Sequence, residues 1–246
     1  MFKHALRLAR YNVPLYAGAA LVLAGGSTIA VLADRLDVRI LAALAAAGAA
    51  WFGSVSFLAF HAMFDRSGFL DWTWLRDELP SPPRRWVHVS AGLELTTAPM
   101  STLFAGTEGV SLDIYDPVSM PAPAVGRARE LRAAATAARP DALPVDSGSA
   151  DAVVVVLAAH EIRDAALRAR FFDEVKRILA PSGRLVLVEH LRDAVSALAF
   201  GPGFLHFLPR SEWLAQTARV GLRVERERSF SPFIRVFTCA PKDRDS

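Results

Sequence analysis

An α/β domain built on a mainly parallel sheet, preceded by two transmembrane helices, is the fold this sequence predicts. Two long apolar runs near the N-terminus lack charge, short β-prone runs then alternate with helical patterns, and the last two strands follow one another with no helix between. Composition agrees: of 246 residues 52% are hydrophobic, and the mean hydropathy of +0.27 exceeds that of ordinary soluble domains. With 22% charged residues and no low-complexity tract, disordered, collagen-like and coiled-coil chains are excluded. The single cysteine, Cys239, cannot make an internal disulfide, so nothing marks an oxidising compartment.

The first apolar run, Val13 to Ala33, carries no charge over 21 positions, and the second, Ile40 to Phe64, none over 25. At 1.5 Å per residue each spans roughly 30 Å of hydrocarbon. The polar residues Asp34 to Arg39 suit a tight turn between them, and the many alanines and glycines allow two helices to approach closely in lipid. Residues 1–64 are therefore expected to form a transmembrane helical hairpin. Lys3, Arg7 and Arg10 precede the first span, whereas the turn balances Arg35 and Arg39 with Asp34 and Asp37. This bias favours a cytoplasmic N-terminus, and an even number of spans returns the large domain to the cytoplasmic side. Two readings compete: a cleaved signal peptide ending near Val31-Leu32-Ala33, and a hairpin buried within a soluble protein.

Residues 65–83 follow as an expected interfacial helix and linker. Trp72 and Trp74 interleave there with charges, a pattern suited to the headgroup layer, with an ordinary packing helix as the alternative. Pro80-Ser81-Pro82-Pro83 marks the boundary of the domain at 84–246. The hairpin's charges already account for the chain's net +3, which leaves the rest balanced and without the basic footprint of a nucleic-acid binder.

In the domain, strands are expected at Trp86–Val89, Val110–Ile114, Ala152–Leu157 and Leu185–Glu189, with helices near Pro123–Arg139, Asp164–Leu179 and Ser211–Val220. Ala152–Leu157 is apolar throughout, as a central strand covered on both faces must be. Leu222–Phe230 and Ile234–Cys239 close the chain as a hairpin. In such sheets ligands bind at the carboxyl ends of the strands, near the switch in strand order.

The run Ala142-Leu143-Pro144-Val145-Asp146-Ser147-Gly148-Ser149-Ala150-Asp151, leading into Val153–Leu157, resembles the segment before strand four of class I S-adenosylmethionine-dependent methyltransferases. Phe171–Leu185, with its Pro181-Ser182-Gly183 turn, is similar to their helix and turn before strand five. The resemblance covers about residues 84–240 and is nearest the ubiquinone/menaquinone C-methyltransferase branch. It implies a Rossmann-like, mainly parallel seven-stranded sheet with a terminal antiparallel hairpin, and S-adenosylmethionine as cofactor. By the same resemblance Asp113 would accept the ribose hydroxyls, with Asp116 as its rival, and Asp141 the adenine amino group. Ala142 would lie alongside, and Ala158 would line the pocket after strand four.

Motif one of that family is an acid followed by a Gly-x-Gly-x-Gly turn, whereas this chain reads Val87-His88-Val89-Ser90-Ala91-Gly92-Leu93-Glu94. Gly92 stands at a glycine position, His88 at the acid and Glu94 at the third glycine. Ser90 and Ala91 are small enough for a tight turn beside the cofactor.

Methyl transfer needs an in-line nucleophile held near the methyl group and, for a phenol, carbon acid or ammonium acceptor, a base. His160, Glu161, His190 and His206 follow the right strands to supply one. The loop from Phe200 to Phe207 offers an aromatic wall for a lipid-like acceptor. No metal-ligand spacing is evident, although His160, Glu161 and His190 could converge in space. The sequence thus suggests a membrane-anchored methyltransferase of a lipophilic small molecule, such as a quinone, phospholipid amine or terpenoid. The alternatives are a catalytically inert methyltransferase-like module that binds a lipid or protein at the membrane, and a domain that uses the cofactor for something other than methyl donation.

Overall fold

The structure is a computed structural model and describes residues 2–92, 97–120 and 135–242. Three helices lead: α1 (Lys3–Tyr11), α2 (Val13–Leu32) and α3 (Leu36–His61), the last continuing into a π turn (Ala62–Arg66). Two 3-10 turns, Phe69–Asp71 and Thr73–Glu78, precede β1 (Arg85–Ser90), α4 (Thr97–Leu103), β2 (Glu108–Asp113), β3 (Thr136–Ala137) and β4 (Ala150–Val156). After a 3-10 turn at Ala159–Glu161 come α5 (Ala165–Ile178), β5 (Leu179–Glu189) and α6 (Ala194–Phe200). A 3-10 turn at Gly201–His206 then leads to α7 (Arg210–Arg219), β6 (Leu222–Ser231) and β7 (Ile234–Pro241).

The seven strands form one sheet in the order β3-β2-β1-β4-β5-β7-β6. Strands β1 to β5 pair in parallel, and β7 is antiparallel to both β5 and β6. Strand order reverses between β1 and β4, so the crevice for a ligand lies at the carboxyl ends of these two strands. The helix expected over Pro123–Arg139 falls largely outside the described residues; its end, Thr136–Ala137, is β3.

From Ala152 onward strand β4 is apolar on both faces because both are covered. Val153 and Val155 meet Phe171, Phe172, Val175 and Ile178 of α5 together with Trp213 of α7. Val154 and Val156 meet Met63, Phe69, Trp74 and Leu75 from the segment after α3, with Met100 of α4 and Phe200 of α6. Helix α5 starts where Asp164 accepts the Leu167 N–H at 2.6 Å, and its apolar stripe faces the sheet. Gly183 is required where β5 passes β4, since a Cβ there would lie 2.8 Å from the Ala150 carbonyl oxygen.

The expected interfacial helix over 65–83 is corrected. The chain there makes short turns whose rings are buried in protein: Phe69 and Trp72 are each 1% exposed and Leu75 is fully buried. Trp74 Nε1 donates to the Phe69 carbonyl at 2.8 Å, and Glu78 is buried against β7, accepting from Thr238 Oγ1 at 2.5 Å. The physical reason is that a sheet needs cover on both faces, and here this segment supplies part of it.

Helices α2 and α3 are long and apolar enough to cross a membrane by length and composition. No residue of α2 is buried. The two pack closely where a Cβ on Gly26 would come within 2.8 Å of the Ala42 carbonyl oxygen, and Tyr16 Oη lies 3.1 Å from Ser56 Oγ. The C-terminal part of α3 rests on the domain: Trp51 Nε1 donates to the Leu198 carbonyl of α6 at 3.1 Å, and the Phe60 and Phe200 rings lie 5.7 Å apart.

Candidate functional site

At the carboxyl end of β1 the chain turns through Ser90, Ala91 and Gly92, all buried. Gly92 has φ +78, a left-handed conformation that side chains disfavour. Asp113, ending β2 and only 4% exposed, fastens this turn: its Oδ1 accepts the Gly92 N–H at 2.8 Å and the Tyr115 N–H at 3.0 Å. Ser90 Oγ donates to the Leu112 carbonyl at 3.3 Å. The conformation that motif one demands is thus retained at Gly92 with a single glycine, because the neighbouring acid holds it. Leu93 and Glu94 lie outside the described residues. His88, at the family's acidic position, is fully buried mid-strand, in register with Ser111 and Val154.

The other candidates for the cofactor divide. Asp116 is exposed and closes its own turn on Val118 and Ser119, with Ser119 Oγ at 2.7 Å. Asp141 is paired in bidentate fashion with Arg139 at 3.0 Å, and this guanidinium holds its carboxyl below the usual range. Ala142 is an exposed turn residue whose N–H donates to the Arg139 carbonyl at 3.2 Å. Ala158 is fully buried. It follows Leu157, the residue directly after β4, whose φ of +48 is a strained conformation for a bulky side chain, of the kind that clusters at active sites.

His160, Glu161, His190 and His206 are brought together by the turn after β4, the end of β5 and the turn after α6. The His160 ring lies 6.0 Å from that of His190 and 5.4 Å from that of His206. Glu189, which sequence reasoning placed only as a strand end, organises the group. Its Oε1 accepts the Ala159 N–H at 2.8 Å and its Oε2 lies 2.5 Å from His160 Nδ1. Glu161 Oε1 lies 3.3 Å from His160 Nε2 and 3.0 Å from His206 Nε2. The signal for Glu189 was its place as the last residue of β5, level with the end of the adjacent β4.

Electrostatics separates the two buried histidines. Burial works against a charge on His160, but the carboxylates of Glu189 and Glu161 prevail and raise its pKa to about 10. His190 is pushed down to about 4 by burial and then by its neighbour His160, so it is neutral at pH 7. Its Nδ1 lies 2.8 Å from the Phe233 carbonyl, which can only accept, so the hydrogen sits on Nδ1 and Nε2 keeps a lone pair. Arg168, buried and paired with Glu212 at 2.9 Å, donates to the Ile162 carbonyl at 2.7 Å and steadies the turn that carries His160. Arg163 donates to the His206 carbonyl at 2.8 Å.

A cavity of about 540 Å³ opens elsewhere, lined by Arg85, Glu108 and Asp151 among others. It sits at the amino ends of β1, β2 and β4, the wrong end of a parallel sheet for the ligand crevice.

Comparison with known proteins follows this geometry. Residues 87–187 match the family model described as a methyltransferase domain. No curated protein sequence matches the chain. Among solved structures the chain is similar to a SAM-dependent methyltransferase from Aquifex aeolicus, at TM-score 0.53 and 14% identity, covering 76% of this chain and 96% of that one. PH0226 protein from Pyrococcus horikoshii OT3 gives TM-score 0.52 and 15% identity, covering 76% and 98%. A SAM-dependent methyltransferase from Methanosarcina mazei gives 0.52 and 13%, covering 69% and 97%. At these identities the likeness is one of fold. The domain match over residues 87–187, set on a sheet of this strand order, gives the chain the fold of S-adenosylmethionine-dependent methyltransferases and supports that activity and cofactor.

Proposed function

We propose that the protein methylates a lipophilic small molecule, such as a quinone, a phospholipid amine or a terpenoid, that reaches it from a bilayer. One observation carries this reading: an unbroken line of aromatic rings joins α3 to the histidine cluster. Phe60 of α3 meets Phe200 at 5.7 Å, Phe200 meets Phe207 at 5.8 Å, and Phe207 meets His190 at 4.7 Å. Such a wall suits an apolar acceptor whose one polar atom must reach a polar group. Helices α2 and α3 then serve as the membrane anchor, which concentrates the enzyme beside acceptors dissolved in lipid. The charge bias of the N-terminus favours the cytoplasmic side for the domain, where the donor is made.

The residues at the end of β1 suit the cofactor by kind: Ser90 and Ala91 are small, Gly92 turns the backbone at positive φ, and Asp113 holds that turn. S-adenosylmethionine supplies an electrophilic methyl group. In this reading Gly92 and Asp113 hold it, and Ala158 bounds the space between it and the cluster. His190 Nε2, neutral and carrying its lone pair, takes the proton that the acceptor atom loses as it gains the methyl group. His160, locked by Glu189, keeps His190 and His206 apart in fixed positions. Positioning supplies most of the rate, and the proton transfer a further factor of about 10²–10⁴.

The test is to incubate the detergent-solubilised full chain with methyl-labelled cofactor and, separately, a membrane lipid extract and an aqueous metabolite extract. Label recovered in the lipid fraction, identified by mass spectrometry, is the expected outcome. Label confined to water-soluble products would overturn the lipophilic acceptor.

A further inference from the structure

We infer that His160 Nε2, Glu161 Oε1 and His206 Nε2 form a site for one divalent transition-metal ion of the zinc type. These three atoms all lie within 4.8 Å of one another. Both imidazole nitrogens converge on the same carboxylate oxygen, at 3.3 Å from His160 and 3.0 Å from His206. Ligands bound at about 2.0–2.1 Å around a tetrahedral ion stand about 3.3 Å apart, so the group needs little rearrangement to close on a metal. The histidine that the sequence suggested as the third member, His190, is not in this triad; His206 from the turn after α6 takes its place.

Two further observations point the same way. The second oxygen of Glu161, Oε2, is buried and has no hydrogen-bond partner among the described residues. Such a carboxylate oxygen is costly to leave unsatisfied, and a bound cation would relieve that cost. Behind His160 stands Glu189, whose carboxylate holds Nδ1 at 2.5 Å and is itself held by the Ala159 and His160 backbone N–H groups. A carboxylate on the far nitrogen is the usual outer partner of a metal-bound histidine, fixing its tautomer and directing Nε2 at the ion. Binding displaces the Nε2 proton of His160 to solvent, and the two buried carboxylates that face the ring hold the cation in its place.

The donor set selects the ion. Two imidazoles and one carboxylate suit zinc, cobalt or ferrous iron, whereas magnesium and calcium prefer oxygen ligands alone. Three protein ligands leave a fourth position for water or for a substrate oxygen, and the 30% exposure of the His206 side chain provides access. Metal binding at this site does not depend on the lipophilic-acceptor reading and is measured without cofactor or acceptor.

The experiment uses the full chain in detergent, with no polyhistidine tag, stripped with chelator and titrated with Co²⁺ while the visible absorption is recorded. Expected is one equivalent of tightly bound Co²⁺ with intense d–d bands, displaced by Zn²⁺ and not by Mg²⁺. His206→Ala lies at a partly exposed turn and should fold; it is expected to lose the bands and weaken binding more than about 100-fold. Glu189→Gln is expected to weaken it about 10- to 100-fold while the bands remain. His4→Gln, beside Asp65 and outside the cluster, should bind as the parent does. An absence of d–d bands in the parent chain overturns the site, as does a His206→Ala titration that matches the parent.

Discussion

Asp113 does two jobs with one oxygen, gripping the Gly92 and Tyr115 amides, so its loss is felt in the turn before it is felt in the core. Hydrogen bonds to a charged acceptor contribute about 1.5–3 kcal/mol each. Asp113→Ala is therefore expected to weaken S-adenosylmethionine binding by roughly 10- to 100-fold, by 1.4 kcal/mol per decade, as read by calorimetric titration. An unchanged Kd would show that the turn keeps its shape unaided. For His190, proposed to take the acceptor's proton, His190→Gln should leave cofactor binding intact and lower the single-turnover rate by about 10²–10⁴. A rate within a factor of two of the parent removes it as the proton acceptor. Cys239 gives a third expectation. Burial pushes its thiol up to about 12, so almost no thiolate exists at pH 8 in the folded chain. Iodoacetamide should label it only after denaturation, and rapid labelling of native protein would contradict its burial.

At the scale of elements, periodicity was legible where burial imposes it. The valine-rich β4, the stripe of α5 with its Asp164 cap, and the closing β6–β7 hairpin all lie within two or three residues of where the sequence pattern placed them. What escaped were elements that depend on tertiary partners. Helix α1 is only nine residues long and is held by Asp65, which accepts the His4 and Ala5 N–H groups at 2.9 and 3.1 Å. Helix α6 is seven residues long, below the length at which a pattern can be read. The tryptophans at 72 and 74 carried an ambiguous signal, since an aromatic ring is equally suited to a headgroup layer and to a sheet face. The site was legible as a set of residue types after the right strands, but Glu189 and the strained Leu157 are features of placement, which spacing does not encode. Pro181-Ser182-Gly183, read from the sequence as a turn before the strand, lies instead within β5, where the register against β4 shifts, and the tolerance of Gly183 can be stated. A methyl group at Gly183 would meet two backbone oxygens, at 2.8 and 3.1 Å, and the Leu179 side chain at 2.9 Å. Gly183→Ala should cost roughly 1–3 kcal/mol, since the oxygens belong to backbone that cannot yield. For a chain of this size that lowers Tm by about 2–4 °C per kcal/mol, measurable by differential scanning fluorimetry. A Tm equal to that of the parent would mean the β4–β5 register can shift to make room.

The whole molecule turns on where the two long apolar helices end and the domain begins. Composition puts the boundary at the prolines 80–83, but the packing puts it near the end of α3, because Met63, Phe69, Trp74 and Leu75 cover Val154, Val156, Val186 and Val188 on one face of the sheet. Removing that cover would expose a contiguous apolar surface of the kind that soluble proteins do not tolerate. Burial of each large side chain stabilises by about 1.5–3 kcal/mol, so losing four or more removes an amount comparable to the whole margin of a typical domain. Two truncations separate the two boundaries. A chain starting at residue 62 sheds both long apolar helices yet keeps the sheet's cover; it should leave the membrane fraction on alkaline carbonate extraction and retain a cooperative thermal transition. A chain starting at residue 84 should aggregate or bind hydrophobic dye without a transition, even though it retains all seven strands. If the shorter chain melts cooperatively at the same temperature as the longer one, the segment 62–79 is dispensable cover, and the boundary read from composition is the physical one.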